Sequence, residues 1–267
     1  MIDTHCHLNF DGFDADRDAV IERARMGDVT RIIIPAVDHK TTLQAIELSH
    51  QYAGIYAAAG IHPNSTVDFT SSDLVWIEAS AHEKKVVAIG EIGLDYHWNT
   101  SPKATQHQAF EAQLALASQL ELPVIIHDRD AHDDIMTILE TWVKTLPPSL
   151  KTRPGVLHSF SAPPAIAERA LAAGFYLGFT GPITYKNADE LRRIATHVPQ
   201  NRLLIETDAP FLTPTPFRGK RNEPAYISYM VERLASLHRL PIETMARITT
   251  ENAERLFNLS AETASDV

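Results

Sequence analysis

Short runs rich in β-branched and aliphatic residues alternate along this chain with longer segments whose apolar positions recur at helical spacing. The runs predict strands near residues 1–7, 31–37, 55–62 and 86–94, and again near 123–127, 155–160, 175–181 and 203–208. Between them, "NTSPKATQHQAFEAQLALASQLELP" predicts a helix with Ser101 as N-cap, Pro102 at its first position and Pro123 beyond its end. "SAPPAIAERALAAG" runs from a Ser/Pro start to Gly174, placed to end a helix in the left-handed region. "KNADELRRIATHVP" offers Asn187 as a cap with Glu190 three residues on, and residues 241–259 predict a closing helix. Repeated β–α units imply a parallel sheet, and eight of them imply an α/β fold of one closed (β/α)8, or TIM, barrel. A doubly wound sheet would need a glycine-rich phosphate turn after its first strand, and "DTHCHLNFDGF" is not one. The expected organisation is a single domain over 1–260 with a short C-terminal tail, 261–267.

Composition narrows the class. At 267 residues, 44% hydrophobic and 22% charged, the chain has the make-up of a globular protein, of a size that α/β barrels fill with one domain. No apolar run approaches a membrane span, and the polar start does not resemble a signal peptide. The single cysteine, Cys6, excludes an intrachain disulfide and leads us to expect a reducing, cytoplasmic setting. With no heptad or apolar patch legible, a monomer is expected. A net charge of −10 excludes a surface that attracts nucleic acid everywhere, though not a locally positive site.

The candidate chemistry begins at "DTHCH". In a strand, Asp3, His5 and His7 share one side and Cys6 takes the other, so Cys6 reads as packing. Two imidazoles on one face suit a metal ion; ragged polar residues at a terminus are the plain alternative. The positions of other polar residues decide between them. His62, Glu91, His127, His158 and Asp208 also fall at or near the carboxyl ends of predicted strands. In a barrel those ends converge on one mouth, where active sites are built. Four histidines with Glu91 and Asp208 suffice for two divalent ions. One arrangement gives His5, His7 and Asp208 to the first ion and His127 and His158 to the second, with Glu91 bridging. Such a pair activates water and stabilises a leaving oxygen in hydrolysis, and Asp208 can take the proton from that water. Glutamate and aspartate in apolar strands are costly to bury unless paired, which makes Glu91 and Asp208 the expected catalytic carboxylates.

Other residues are candidates for supporting roles. Glu206 shares the face of Asp208 and reads either as orienting a ligand or as a structural hydrogen bond. Asp95 in "GLDYH" is placed to bind a ligand histidine's free nitrogen. His62 in "GIHP" reads as a phosphate or supporting donor, or as a turn residue, and Tyr96 as a base-stacking ring or packing. Arg129 is the expected phosphate clamp, with a salt bridge to Asp130 or Asp133 as the alternative. Arg218, Lys220 and Arg221 in "FRGKRNEP" form a basic cluster predicted beside the mouth.

In this order the pieces "IDTHCH", "GIHP", "VVAIGEIGLDYH", "LPVIIHDRDA", "HSFS", "GFTGPITYKNA", "LLIETDAPFL" and "RGKRNEP" resemble the TatD family of metal-dependent deoxyribonucleases, within the amidohydrolase-like barrels. The resemblance covers nearly the whole chain. It implies that His5, His7, Glu91, His127, His158 and Asp208 bind metal (Mg²⁺, Mn²⁺ or Zn²⁺). It also implies metal-dependent hydrolysis of DNA, often from the 3′ end. Two positions depart from the family pattern: Asp128 stands where serine is expected, and Ala162 follows "HSFS" where glycine is expected. Many barrels with such ligands bridge their metals with a carboxylated lysine on the fourth strand; Glu91 at that position favours the nuclease-like group. The alternative enzyme is a hydrolase of a small ester, lactone, amide or aminoacyl ester at the same two-metal site. A purely structural metal protein is disfavoured, since structural zinc sites are closed by four ligands, usually including thiolates.

Overall fold

The alternation does produce eight parallel strands, seen in a computed structural model that describes residues 1–259. The expected tail, 261–267, lies outside the described residues. The strands are β1 (Ile2–Asp3), β2 (Arg31–Pro35), β3 (Ile55–Ala59), β4 (Val86–Asp95), β5 (Val124–Arg129), β6 (Gly155–Leu157), β7 (Tyr176–Phe179) and β8 (Leu203–Ile205). They pair in sequence order. The seam between β8 and β1 is closed by backbone bonds, with Thr4 N–H donating to Ile205 O, Asp208 N–H to His5 O, and Cys6 bridging Ala209. The helices are α1 (Arg17–Met26), α2 (His39–Gln51), α3 (Asp73–Ala81), α4 (Lys103–Leu120), α5 (His132–Trp142), α6 (Pro164–Ala172), α7 (Asp189–His197), α8 (Ile227–His238) and α9 (Ile242–Phe257). No helix among the described residues is long and apolar enough to cross a membrane.

Side-chain parity divides the core into two layers. Ile33, Ala58, Ile125, Val156 and Leu204 pack inside the barrel with Leu256, Phe257 and Leu259 at the end of α9. Their strand neighbours Ile32, Ile34, Ala57, Ala59, Val124, Ile126, Leu203 and Ile205 pack outward beneath the helices. This is the period-2 alternation of a strand buried on both faces. The end of α9 therefore fills the barrel floor, leaving the opposite, carboxyl end for chemistry.

Several local expectations change. β1 is two residues long and bends at Thr4, so His5 and His7 follow the strand rather than lie in it. Asp3 does not join them: its carboxylate accepts hydrogen bonds from His5 N, Thr207 N and Thr207 Oγ1, fastening β1 to the end of β8. α4 is capped by Pro102 and begins at Lys103, because Ser101 is buried and its carbonyl accepts from Gln106 Nε2. α7 is capped by Ala188 and begins at Asp189, leaving Asn187 one residue outside. Gly174 does follow α6 in the left-handed region, at φ +88°.

Candidate metal centre at the barrel mouth

Parity carries the site residues inward. His127 follows Ile125 by two positions, His158 follows Val156, and Glu206 and Asp208 continue the face of Leu204. β4 needs a different device. A register shift against β5 between Ile89 and Ile92 lets both isoleucines pack outward while Glu91 joins the mouth. At Gly93, φ is +147° and a Cβ would lie 2.0 Å from His127 O, so glycine there lets β4 lie this close to β5.

His5 Nε2 and His7 Nε2 are 3.3 Å apart, and Asp208 Oδ1 lies 3.6 Å from the first and 3.5 Å from the second. Donors held about 2.0–2.1 Å from a tetrahedral metal stand about 3.3–3.4 Å from one another. The three spacings fit a shared ion. The ring of His7 stacks on Phe10 and that of His5 on His158, which fixes both imidazoles. Asp208 sits in the left-handed region at φ 55°, a conformation aspartate tolerates better than most residues, with its N–H tied to His5 O at 2.8 Å.

Glu91 faces two ways. Its Oε2 lies 3.5 Å from His5 Nε2 and 3.8 Å from His7 Nε2. Its Oε1 lies 2.8 Å from both His127 Nδ1 and His158 Nε2. Burial opposes charge on Glu91, but His158, His5 and His62 outweigh it and hold the carboxyl well below its usual range. For His158 burial likewise opposes charge, and Glu91 and Glu206 outweigh it, raising the imidazole well above its ordinary value. Glu91 is thus an ionised acceptor between two sets of donors.

Two of these rings have a carboxylate on the side away from Glu91, whereas Nδ1 of His5 and of His7 is buried without a hydrogen-bond partner among the described residues. His127 Nε2 lies 3.0 Å from Asp95 Oδ2, and Asp95 is itself held by Asn64 and by the N–H groups of His97 and Trp98. Burial would raise the Asp95 pKa, but these bonds, led by that of His127, bring it to about 2. Glu206 Oε2 lies 3.6 Å from His158 Nδ1 and accepts from Ser159 N–H at 2.9 Å. Gly178 makes room for Glu206, since a Cβ there would lie 1.9 Å from its Oε1.

His62 is the position whose geometry competes with the expected ligand set. It groups with Glu91 and His127 as a possible metal triad, and its Nε2 is 3.7 Å from Glu91 Oε1. Its Nδ1, however, accepts the Asn64 N–H at 3.1 Å. Burial, then the charge of His127, push its pKa down to about 3, so the ring is neutral. A neutral imidazole accepting at Nδ1 carries its proton at Nε2, 3.7 Å from Glu91 Oε1.

A cavity of about 610 Å³ opens over these groups. Arg129 is exposed on its wall and has no ion pair among the described residues; Asp130 faces His97 and Asp133 pairs with Arg169. The structure does not bring Tyr96 there. Its hydroxyl binds His107 and Asp134, and Lys103 covers its ring at 3.5 Å. The expected basic cluster is also divided. Arg221 is paired with Asp16 and lies over Phe13, whereas Arg218 stacks on Tyr185 in an adjoining cavity. Among the wall residues the sequence did not single out are Trp98, 59% exposed, and Phe211, 52% exposed. Their exposure had no sequence signal, because an aromatic next to a motif reads as packing. Cys6 is fully buried in the outer core, as expected.

Residues 2–258 match the family described as TatD related DNase. The chain is 48% identical to an uncharacterized metal-dependent hydrolase of Bacillus subtilis, YabD, over 97% of this chain and all of the relative. It is 38% identical to the 3′–5′ ssDNA/RNA exonuclease TatD of Erwinia amylovora, again over 97% of this chain and all of the relative. The crystal structure of YJJV, a TatD homolog from Escherichia coli, superposes with a TM-score of 0.90 at 34% identity, covering 97% of this chain and 98% of the other. The chain belongs to the TatD-related DNase family and is a metal-dependent hydrolase of that family.

Proposed function

We propose that the protein is a two-metal phosphodiesterase that shortens single-stranded DNA from the 3′ end. The observation that carries this reading is Glu91, whose two oxygens address His5 and His7 on one side and His127 and His158 on the other. His5, His7 and Asp208 would hold one divalent ion, His127 and His158 the second, and Glu91 both. An all-nitrogen-and-oxygen donor set suits Mg²⁺, Mn²⁺ or Zn²⁺. Two such ions, when bound, would supply a hydroxide at neutral pH and neutralise charge on the leaving oxygen.

The chain's own residues complete the chemistry. Burial opposes ionisation of Asp208, but the neighbouring His7, His5 and His158 keep its carboxyl below the usual range, so it is available to accept a proton from the attacking water. His62 donates from Nε2 to a phosphate oxygen, and the unpaired Arg129 binds the phosphate in a bidentate manner. Trp98 and Phe211 offer ring faces to unstacked bases. This arrangement favours a single strand, in keeping with the relatives named as ssDNA/RNA exonucleases.

The test uses end-labelled single-stranded DNA with Mg²⁺ or Mn²⁺, with chelator, and with Glu91→Gln purified identically. The reading requires metal-dependent loss of the 3′ label first, absent from the variant. No cleavage by protein that binds two ions would reject DNA and move the substrate to small or aminoacyl esters.

A further inference from the structure

The second cavity on the mouth side is also about 610 Å³ and shares Ser161 with the metal-bearing one. Its wall carries Lys186, Arg218 and His132. Lys186 is exposed and makes no ion pair among the described residues. Arg218 is exposed and lies 4.1 Å above the ring of Tyr185, again without a carboxylate partner. Tyr185 is itself fixed, its hydroxyl donating to Thr213 O at 3.0 Å. Stacking on a fixed ring pre-orients the guanidinium while leaving its N–H groups for a ligand. The carboxylate on this wall, Glu190, faces Arg193 at 3.4 Å. Asp128 stands where the family pattern has serine, between the two cavities. Its Oδ2 lies 2.8 Å from Nδ1 of His132, so the carboxylate lines the first cavity and the His132 ring stands between it and the second.

In a chain of net charge −10, two unpaired cations in a cavity that adjoins the hydrolytic mouth are out of character with the surface as a whole. We infer that this cavity is a backbone-phosphate subsite, in which Arg218 and Lys186 hold a phosphodiester of the same polynucleotide strand, away from the bond being cut. The inference rests on the nucleic-acid reading above. It adds that affinity depends on strand length.

The experiment measures binding without cleavage, by fluorescence anisotropy of phosphorothioate-linked oligodeoxynucleotides two and eight residues long across a salt series. Wild type is compared with Arg218→Gln/Lys186→Gln and with Lys84→Gln, which removes an exposed charge just before β4 on the floor side. Wild type should prefer the eight-residue strand. The double variant should lose that preference, with affinity for the longer strand down about 10–30-fold near 0.1 M salt and a salt slope shallower by about 1.4, ~0.7 for each phosphate contact. Lys84→Gln should track wild type. Retention of the length preference and slope by the double variant would overturn the subsite while leaving phosphodiester hydrolysis intact. A wild type that binds neither strand would overturn both. Length-dependent binding here, together with no cleavage of the ordinary end-labelled strand in the assay above, would uphold the subsite and reject the proposed reaction.

Discussion

Glu206 shows how far a single residue's role extends through its neighbours. Its carboxylate sits beside His158 Nδ1, fully buried, in space that exists because residue 178 has no side chain. Partners of this kind fix the orientation and basicity of a ligand imidazole, and their loss typically lowers metal affinity about 10–100-fold. Glu206→Gln keeps the shape and loses the charge. It should weaken one of two metal-binding events by that factor in a calorimetric titration, with the other unchanged; equal weakening of both, or of neither, would contradict the assignment. The sequence made Glu206 legible through its i−2 relation to Asp208. It could not reveal the proton on His62, which depends on a backbone N–H at Asn64, nor that Tyr96 is held by His107 and Asp134 on neighbouring helices. Those are contacts between segments, invisible to local pattern.

At the scale of elements, strand number and order followed from the alternation, because β2, β5 and β8 keep a strict two-residue period. The period breaks at the bend after β1, where Asp3 turns away from His5 and His7, and at the register shift in β4, where Glu91 nonetheless reaches the mouth as expected. Both breaks lie beside the candidate metal centre. The loop after β8 was misread for another reason: charge alone does not say what is already paired. Asp16 binds Arg221 and also meets Arg23, which in turn grips Glu223, so the loop is tied to α1. The hydrogen bond from Arg221 leads in lowering the Asp16 pKa from 3.8 to about 2. A depressed carboxylate contributes stability that is present above its unfolded value and lost as pH falls through its folded value. Acid unfolding of wild type should therefore steepen between pH 3.8 and about 2, and Asp16→Asn should remove that component. Identical acid profiles would show that the tether adds nothing. At the floor, Phe257 is 2% exposed among the inward-facing strand residues. Phe257→Ala should cost about 3–5 kcal/mol in denaturant unfolding. Metal stoichiometry should survive, because the floor and the mouth are at opposite ends of the barrel.

At the scale of the molecule, a closed barrel gathers residues as distant as His5 and Asp208 onto one mouth, so an ordered set of motifs scattered along the chain describes one place. The fold and the gathering of the candidate ligands at one end of it were therefore legible together. The walls were not: Trp98, Phe211 and the cavity beneath Arg218 arise from loops whose exposure and packing the sequence does not encode locally. On the proposed function, an overall negative charge makes a local positive feature such as Arg218 the one that would select a polyanion.

On the proposed function one carboxylate, Glu91, joins two metal ions. Titration of metal-free protein with Mn²⁺, followed by electron paramagnetic resonance, tests it without any assumption about substrate. The account predicts two ions per chain with an exchange-coupled spectrum, and loss of the coupling in Glu91→Gln. A single ion at saturation, or two magnetically independent ions, would contradict it.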